Sequence, residues 1–227
     1  MSAPPLASPI HGPGAPKWRL AHFLRAVAAP PFLAVYRTQL RGAEHIPESG
    51  GFILAGNHVS YLDPALLWAG APRETHFFAK QELFEAPLIG WLLPRVYVLP
   101  INRGSADRVA IQRATDLLTN GEPVGIFPEG TRQSPGAPAD QPAAAHAGVA
   151  FIAMHAGVPV VPVGIAGTER ALPKGAKLPR FPRVTIRYGE PVRPEEFTEG
   201  GRKERMQAMT AEIMRRIAAA RSAAEKE

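Results

Sequence analysis

A histidine and an aspartate lie five positions apart in the stretch Asn57-His58-Val59-Ser60-Tyr61-Leu62-Asp63-Pro64. Histidine beside a carboxylate is a simple device for moving protons: one ring nitrogen takes the proton while the carboxylate holds the other. Whether the two can meet depends on the backbone between them. Five residues of ideal helix turn through about 500°, which leaves the side chains roughly 140° apart. On a turn that ends at a helix start, the aspartate can instead fold back toward Nδ1 and leave Nε2 as a base. The same aspartate, directly before Pro64, also has the form of a helix N-cap whose oxygen accepts a backbone N–H. The octapeptide alone is compatible with a catalytic pair and with a capped turn.

Two further segments carry chemistry. Ile101-Asn102-Arg103 supplies a cation, and Phe127-Pro128-Glu129-Gly130-Thr131-Arg132 supplies a carboxylate, a hydroxyl, a second cation and a glycine that lets backbone approach a ligand. Arginine forks suit phosphate oxygens. A base beside such a clamp suggests proton removal from a hydroxyl on a phosphorylated substrate. The chain has no cysteine, which excludes disulfides, thiolate nucleophiles and cysteine-bound zinc and fits a reducing compartment. No serine sits in a nucleophile elbow either. The sequence also lacks a nucleotide phosphate loop, a dinucleotide glycine fingerprint, a zinc helix motif and an RNA-binding aromatic signature.

The elements that must hold these residues alternate between strand and helix. Residues 51–56 are short, apolar and glycine-flanked, as a buried strand would be, and Pro64 opens a helix behind them. Further strands are predicted at 75–79, 97–101, 123–127, 158–165 and 184–188. The prolines within 158–165 suggest an edge strand or a bulge. Helices are predicted from Ser105 to Asn120-Gly121, over 147–156, and at the C-terminus, where Met206, Met209, Ile213 and Ile217 share a face. The alternation is the α/β signature, and the chemistry-bearing segments follow predicted strand ends, where sites of such sheets lie. Residues 81–95 are apolar but broken by Pro87, Gly90 and Pro94. They suit either the core or a pocket for a hydrocarbon chain.

At 227 residues, with 45% hydrophobic and 20% charged residues, the chain has room for one α/β domain and a small appendage. The division expected is a disordered Pro/Ala/Ser/Gly tail over 1–16, a helical element over 17–38 and the α/β domain over 39–227. Leu20, Phe23, Leu24 and Val27 fall on one helical face, with Arg19, His22 and Arg25 off it, until Pro30-Pro31 breaks the pattern. Such a helix suits a membrane interface, or docking onto its own domain. No stretch is long and apolar enough to span a bilayer, and the N-terminus lacks the pattern of a signal peptide. The net charge of +6 favours anionic partners. Between Arg170 and Arg187 six basic residues occur without an acidic one, apt for a solvated face or for anionic headgroups. His11, His22, His45, His76 and His155 have no partner pattern and are expected to be structural or exposed.

Taken in order, Asn57-His58-x-Ser60-x-x-Asp63, Ile101-x-Arg103, Phe127-Pro128-Glu129-Gly130-Thr131-Arg132 and Val158-Pro159-Val160-Val161-Pro162-Val163 resemble the four blocks of the glycerolipid acyltransferases, most closely the bacterial 1-acylglycerol-3-phosphate acyltransferases. The likeness covers roughly residues 40–192. A histidine five residues before an aspartate is a weak signal; four blocks in order are a specific one. The resemblance implies a mixed, mostly parallel sheet flanked by helices, as in glycerol-3-phosphate acyltransferase. It implies His58 as general base on a glycerol hydroxyl, oriented by Asp63, and Arg103, Glu129, Gly130, Thr131 and Arg132 as acceptor-binding residues. The expected partners are lysophosphatidic acid, acyl-coenzyme A or acyl carrier protein as co-substrate, and an anionic membrane surface, at the cytoplasmic face as a peripheral protein, with no nucleic acid. No cofactor and no metal are expected. The same chemistry on glycerol 3-phosphate, another lysophospholipid or a non-phosphorylated lipid stays open, as does an idle lipid-binding relative. His146 stands where family members often carry lysine, a change that weakens or pH-tunes the phosphate clamp.

Overall fold

The computed structural model describes residues 16–101, 108–129, 147–171 and 180–227. Seven strands form one sheet: β1 (Gln39–Arg41), β2 (Ile53–Gly56), β3 (His76–Lys80), β4 (Val98–Ile101), β5 (Val124–Ile126), β6 (Val160–Ala166) and β7 (Thr185–Tyr188). Their order is β1-β7-β6-β2-β5-β3-β4, and every pairing is parallel except β6 with β7. The mostly parallel mixed sheet expected from the sequence is therefore present. Parallel strands need crossovers, and helices α1 (Pro16–Val35), α2 (Asp63–Gly70), α3 (Pro87–Leu92), α4 (Arg108–Thr119), α5 (Ala147–Ala156) and α6 (Arg202–Ala224) flank the strands.

Two apolar layers follow. On one side of the sheet Tyr36, just past α1, and Leu66 and Leu67 of α2 pack on Leu54, Val161 and Ile186. On the other, α4, α5 and α6 bring Leu118, Val149, Ile152, Met209, Ile213 and Ile217 onto Ile53, Val124 and Val160. The residues of β2 are buried on both faces, which is why that strand reads as an unbroken apolar run. Gly164 allows α6 to lie directly on β6, because a Cβ there would strike the Ala220–Arg221 backbone. That contact brings the last turns of α6 to the end of the sheet where β2 and β5 stop.

Three sequence expectations are corrected. The strand at 158–165 is neither edge nor bulge: β6 is completely buried between β2 and β7. Pro162 is tolerated because its carbonyl faces β7, accepting from Gly189 N–H at 2.8 Å, so its missing donor falls where the β7 ladder lapses between the Val163–Tyr188 and Val160–Val192 pairs. Pro30-Pro31 does not stop the first helix, which continues to Val35. Arg25 lies off the apolar face, as its position predicts: it donates to the carbonyls of Trp68 (3.2 Å) and Ala71, satisfying the C-terminal end of α2, while Leu20, Phe23 and Val27 are exposed. Residues 81–95 are not core: Leu83, Leu88, Ile89, Trp91 and Leu92 are exposed.

Candidate active site

The chain leaves β2 at Gly56 and turns before α2. Asn57 fixes the departure. Its side-chain amide accepts from Ile165 N–H (2.7 Å) and donates to Ile165 C=O (2.9 Å), continuing the β2–β6 ladder where the main chain diverges. Sequence reasoning quoted Asn57 but gave it no task; only the neighbouring strand shows what it holds.

Asp63 organises the turn that follows. It is fully buried, and its Oδ2 accepts from Val59 N–H (2.7 Å), Ser60 N–H (2.7 Å) and the His58 ring at Nδ1 (2.9 Å). Three donors on one oxygen favour the ionised carboxylate, and an ionised acceptor places the His58 proton on Nδ1. The side chain does not cap α2, contrary to the N-cap alternative. Asp63 is the first helical residue, Leu62 holds the cap position, and the carboxylate points back into the preceding turn. Oδ1 is buried without a partner among the described residues. A buried carboxylate oxygen left unsatisfied is costly, and such costs concentrate at functional sites.

His58 is thereby aimed. Its side chain is 17% exposed, and among the described residues nothing bonds Nε2. Phe127, just past β5, stacks on the imidazole with ring centroids 4.5 Å apart, and itself stacks on Phe77 at 6.4 Å. The ring is held through Nδ1 on one edge and by an aromatic face, so its open edge carries the basic nitrogen.

Glu129 reaches the same turn from the end of β5. Its Oε2 accepts the His58 backbone N–H at 3.0 Å, and the residue is buried. Burial raises its pKa above the ordinary carboxylate value, and Asp63 raises it further; the His58 hydrogen bond, the His58 ring and Arg221 oppose the rise. The structure therefore brings together three of the predicted residues, His58, Asp63 and Glu129, with Glu129 on the histidine backbone. The other four, Arg103, Gly130, Thr131 and Arg132, and His146 with them, lie outside the described residues. Arg221 was not anticipated. It sits near the end of α6, far from every motif, and only the packing of α6 on Gly164 carries its charge toward Glu129.

The arrangement can do one thing well: remove a proton from a group placed against Nε2. The backbone N–H groups of 58, 59 and 60 are all committed to Glu129 and Asp63. Any developing oxyanion must find its donors elsewhere.

Comparison with known proteins identifies the family. The acyltransferase family model matches residues 37–166, which includes every strand from β1 to β6 and the whole His58 turn. A 1-acyl-sn-glycerol-3-phosphate acyltransferase of Bacillus subtilis is 33% identical over 175 residues, 77% of this chain and 83% of that protein. A lyso-ornithine lipid O-acyltransferase of Pseudomonas aeruginosa is 35% identical over 158 residues, 69% of this chain and 55% of that protein. The crystal structure of the 1-acyl-sn-glycerophosphate (LPA) acyltransferase PlsC from Thermotoga maritima superposes with a TM-score of 0.66 at 27% identity, covering 87% of this chain and 81% of that one. A family match over more than half the chain, a relative 33% identical over 77% of it and the shared fold agree: this chain belongs to the acyltransferase family.

Proposed function

We propose that the protein transfers an acyl chain from an acyl thioester to the free hydroxyl of 1-acylglycerol 3-phosphate, making phosphatidic acid for phospholipid synthesis. The observation that carries the reading is the His58 ring, fixed at Nδ1 by a fully buried carboxylate and open at Nε2. In this reading the acceptor hydroxyl gives its proton to Nε2 as its oxygen attacks the thioester carbonyl. The tetrahedral intermediate collapses, the C–S bond breaks, and the proton passes from His58 to the departing thiolate. Asp63 holds the tautomer and stabilises the imidazolium; Glu129 holds the backbone of the base. Arg103 and Arg132 grip the acceptor phosphate, with Gly130 and Thr131 beside them. The thioester, on coenzyme A or acyl carrier protein, is a co-substrate, and direct transfer calls for no cofactor. General-base help supplies about 10²–10⁴-fold, and positioning must supply most of the rest.

A lysolipid acceptor requires membrane access. Among the described residues no helix is long and apolar enough to cross a membrane. The outward face of α1 supports a peripheral attachment, at the cytoplasmic face of the membrane: Leu20, Phe23, Val27 and Val35 are exposed, and Arg25 is the only charged residue between Phe23 and Tyr36. A second acceptor is favoured by one observation, the 35% identity to a lyso-ornithine lipid O-acyltransferase, whose name contains no phosphate. Thiol release from acyl-coenzyme A over a panel of acceptors decides. Release that depends on lysophosphatidic acid, with an acceptor KM raised at least about tenfold by Arg103→Ala, is the expected result. Release without acceptor, or equal turnover with a phosphate-free lysolipid, overturns the assignment.

A further inference from the structure

We propose that α3 and the turn after it form a second membrane contact, inserting Leu88 and Trp91 into the bilayer beside α1. This rests on the peripheral attachment proposed above and extends it to a segment outside the N-terminal element.

Leu88 is 84% exposed and Trp91 55%, with Ile89 and Leu92 also open on the same six-residue helix. Nothing among the described residues covers them, although the sequence in this stretch is as apolar as a core. Single exposed apolar residues are ordinary; a cluster on one short element marks an interaction surface. The cluster is not isolated. The 3₁₀ turn Leu93–Val96 continues α3 directly and packs against α1, so α3 neighbours the helix whose Leu20, Phe23 and Val27 are exposed.

The composition favours a lipid surface over a second copy of the chain. Residues 86–101 contain no acidic residue, and the protein as a whole carries +6, which complements anionic headgroups. The Arg95 guanidinium lies over the Trp91 ring at 4.3 Å and donates to the Trp91 carbonyl. An indole flanked by leucines and covered by a cation is the chemistry of the headgroup boundary, where tryptophan seats its ring and arginine meets phosphate. From Pro87 to Pro94 the segment carries no charge, so an uncharged face meets the bilayer with Arg95 at its edge, while Glu82 and Glu85, exposed on the turn before α3, stay on the water side.

The absence of native cysteine makes the test direct. Leu88→Cys and, separately, Phe23→Cys are labelled with an environment-sensitive fluorophore and mixed with phosphatidylcholine vesicles containing phosphatidylglycerol. Both labels are expected to shift to the blue and to lose several-fold in quenching by aqueous iodide. The paired change Leu88→Ser and Trp91→Ser is expected to weaken vesicle partitioning at least about tenfold, with unaltered melting and unaltered thiol release using a short-chain, monomeric acceptor. If the label at 23 is shielded while that at 88 stays in water, the α3 contact is overturned and the α1 attachment stands. If both stay in water, the membrane attachment itself fails. If the label at 88 is shielded without vesicles, with doubled mass in solution, the occupant is a second copy and the proposal is overturned.

Discussion

Two histidine–carboxylate pairs sit at opposite ends of the same sheet, and they are built in reverse. At the strand ends that carry the motifs, His58 meets Asp63 through Nδ1 at 2.9 Å; the carboxylate side chain is 0% exposed and the imidazole 17%. At the start of β3, His76 meets Glu122 through Nε2 at 3.2 Å; here the imidazole is 1% exposed and the carboxylate 29%. His76 is closed in further by Tyr97, edge-on at 5.1 Å, whose hydroxyl is bonded to Glu74. Burial and that bond raise the Tyr97 hydroxyl pKa, so it acts as a fixed donor. Pairing alone therefore does not define a catalytic histidine. A base needs its orienting carboxylate sealed from water and its second nitrogen presented to a substrate; a structural histidine is sealed itself.

That contrast is broken or upheld by a pair of alanine substitutions. His58→Ala is expected to lower kcat by at least about 10²–10⁴-fold with the chain still folded, because the ring is removed from a partly open position. His76→Ala is expected to do the opposite: a stability loss of about 2–4 kcal/mol in urea unfolding, with activity per folded molecule retained. Substantial turnover by folded His58→Ala, or a specific loss of turnover in folded His76→Ala, removes the distinction.

Asp63→Asn comes next in size. It keeps an acceptor for the turn amides but cannot accept from Nδ1–H with the same oxygen charge, so the ring tautomer is released. A kcat loss of about 10²-fold or more is expected with little change in acceptor KM, alongside about 1–2 kcal/mol of stability from the weakened charge-assisted bonds. Equal effects on kcat/KM and stability with kcat unchanged would make Asp63 a purely structural residue.

Glu129→Gln separates holding the base from stabilising the fold. Burial raises the Glu129 pKa in the folded protein. A raised carboxylate pKa means that its contribution to stability is fully present below the unfolded value of about 4.3 and is lost as pH rises through the higher folded value. Glutamine resembles the protonated form, so the variant should match the parent in acid and gain on it toward neutral pH. Activity should nevertheless fall about tenfold, because the charge-assisted hold on the His58 amide is lost. Parallel losses of stability and activity at neutral pH would contradict this. The smallest effect belongs to the other end of the sheet: Glu122→Gln should cost under about 1 kcal/mol and leave kcat unchanged, since the carboxylate is partly solvated.

Much of this was legible in the residue order. The α/β alternation, the strand-to-helix turn at His58 and the meeting of His58 with Asp63 follow from local periodicity, a proline at a helix start and the spacing of two side chains. The errors have a common cause. Pro162 in β6 and Pro30-Pro31 in α1 violate local propensity, and both are accommodated by context: a lapse in one ladder, and a helix supported along one side by packing on α2. Burial of residues 81–95 was misjudged because apolar composition does not say whether a partner surface exists.

What the sequence determined by itself was the inventory and its local geometry. It set which residues carry protons and charge, which ends of which strands present them, and that five residues crossing a turn can close a histidine onto an aspartate. Solvent access and long-range company came instead from the packing of strands and helices on one another. Asn57 has its task because β6 lies beside β2, Glu129 reaches the His58 amide because β5 flanks β2 on the other side, and Arg221 approaches because Gly164 admits α6. The physical reason is that proton chemistry depends on dielectric and on neighbours within a few ångströms, and those neighbours come from 71 and 108 positions away in the chain.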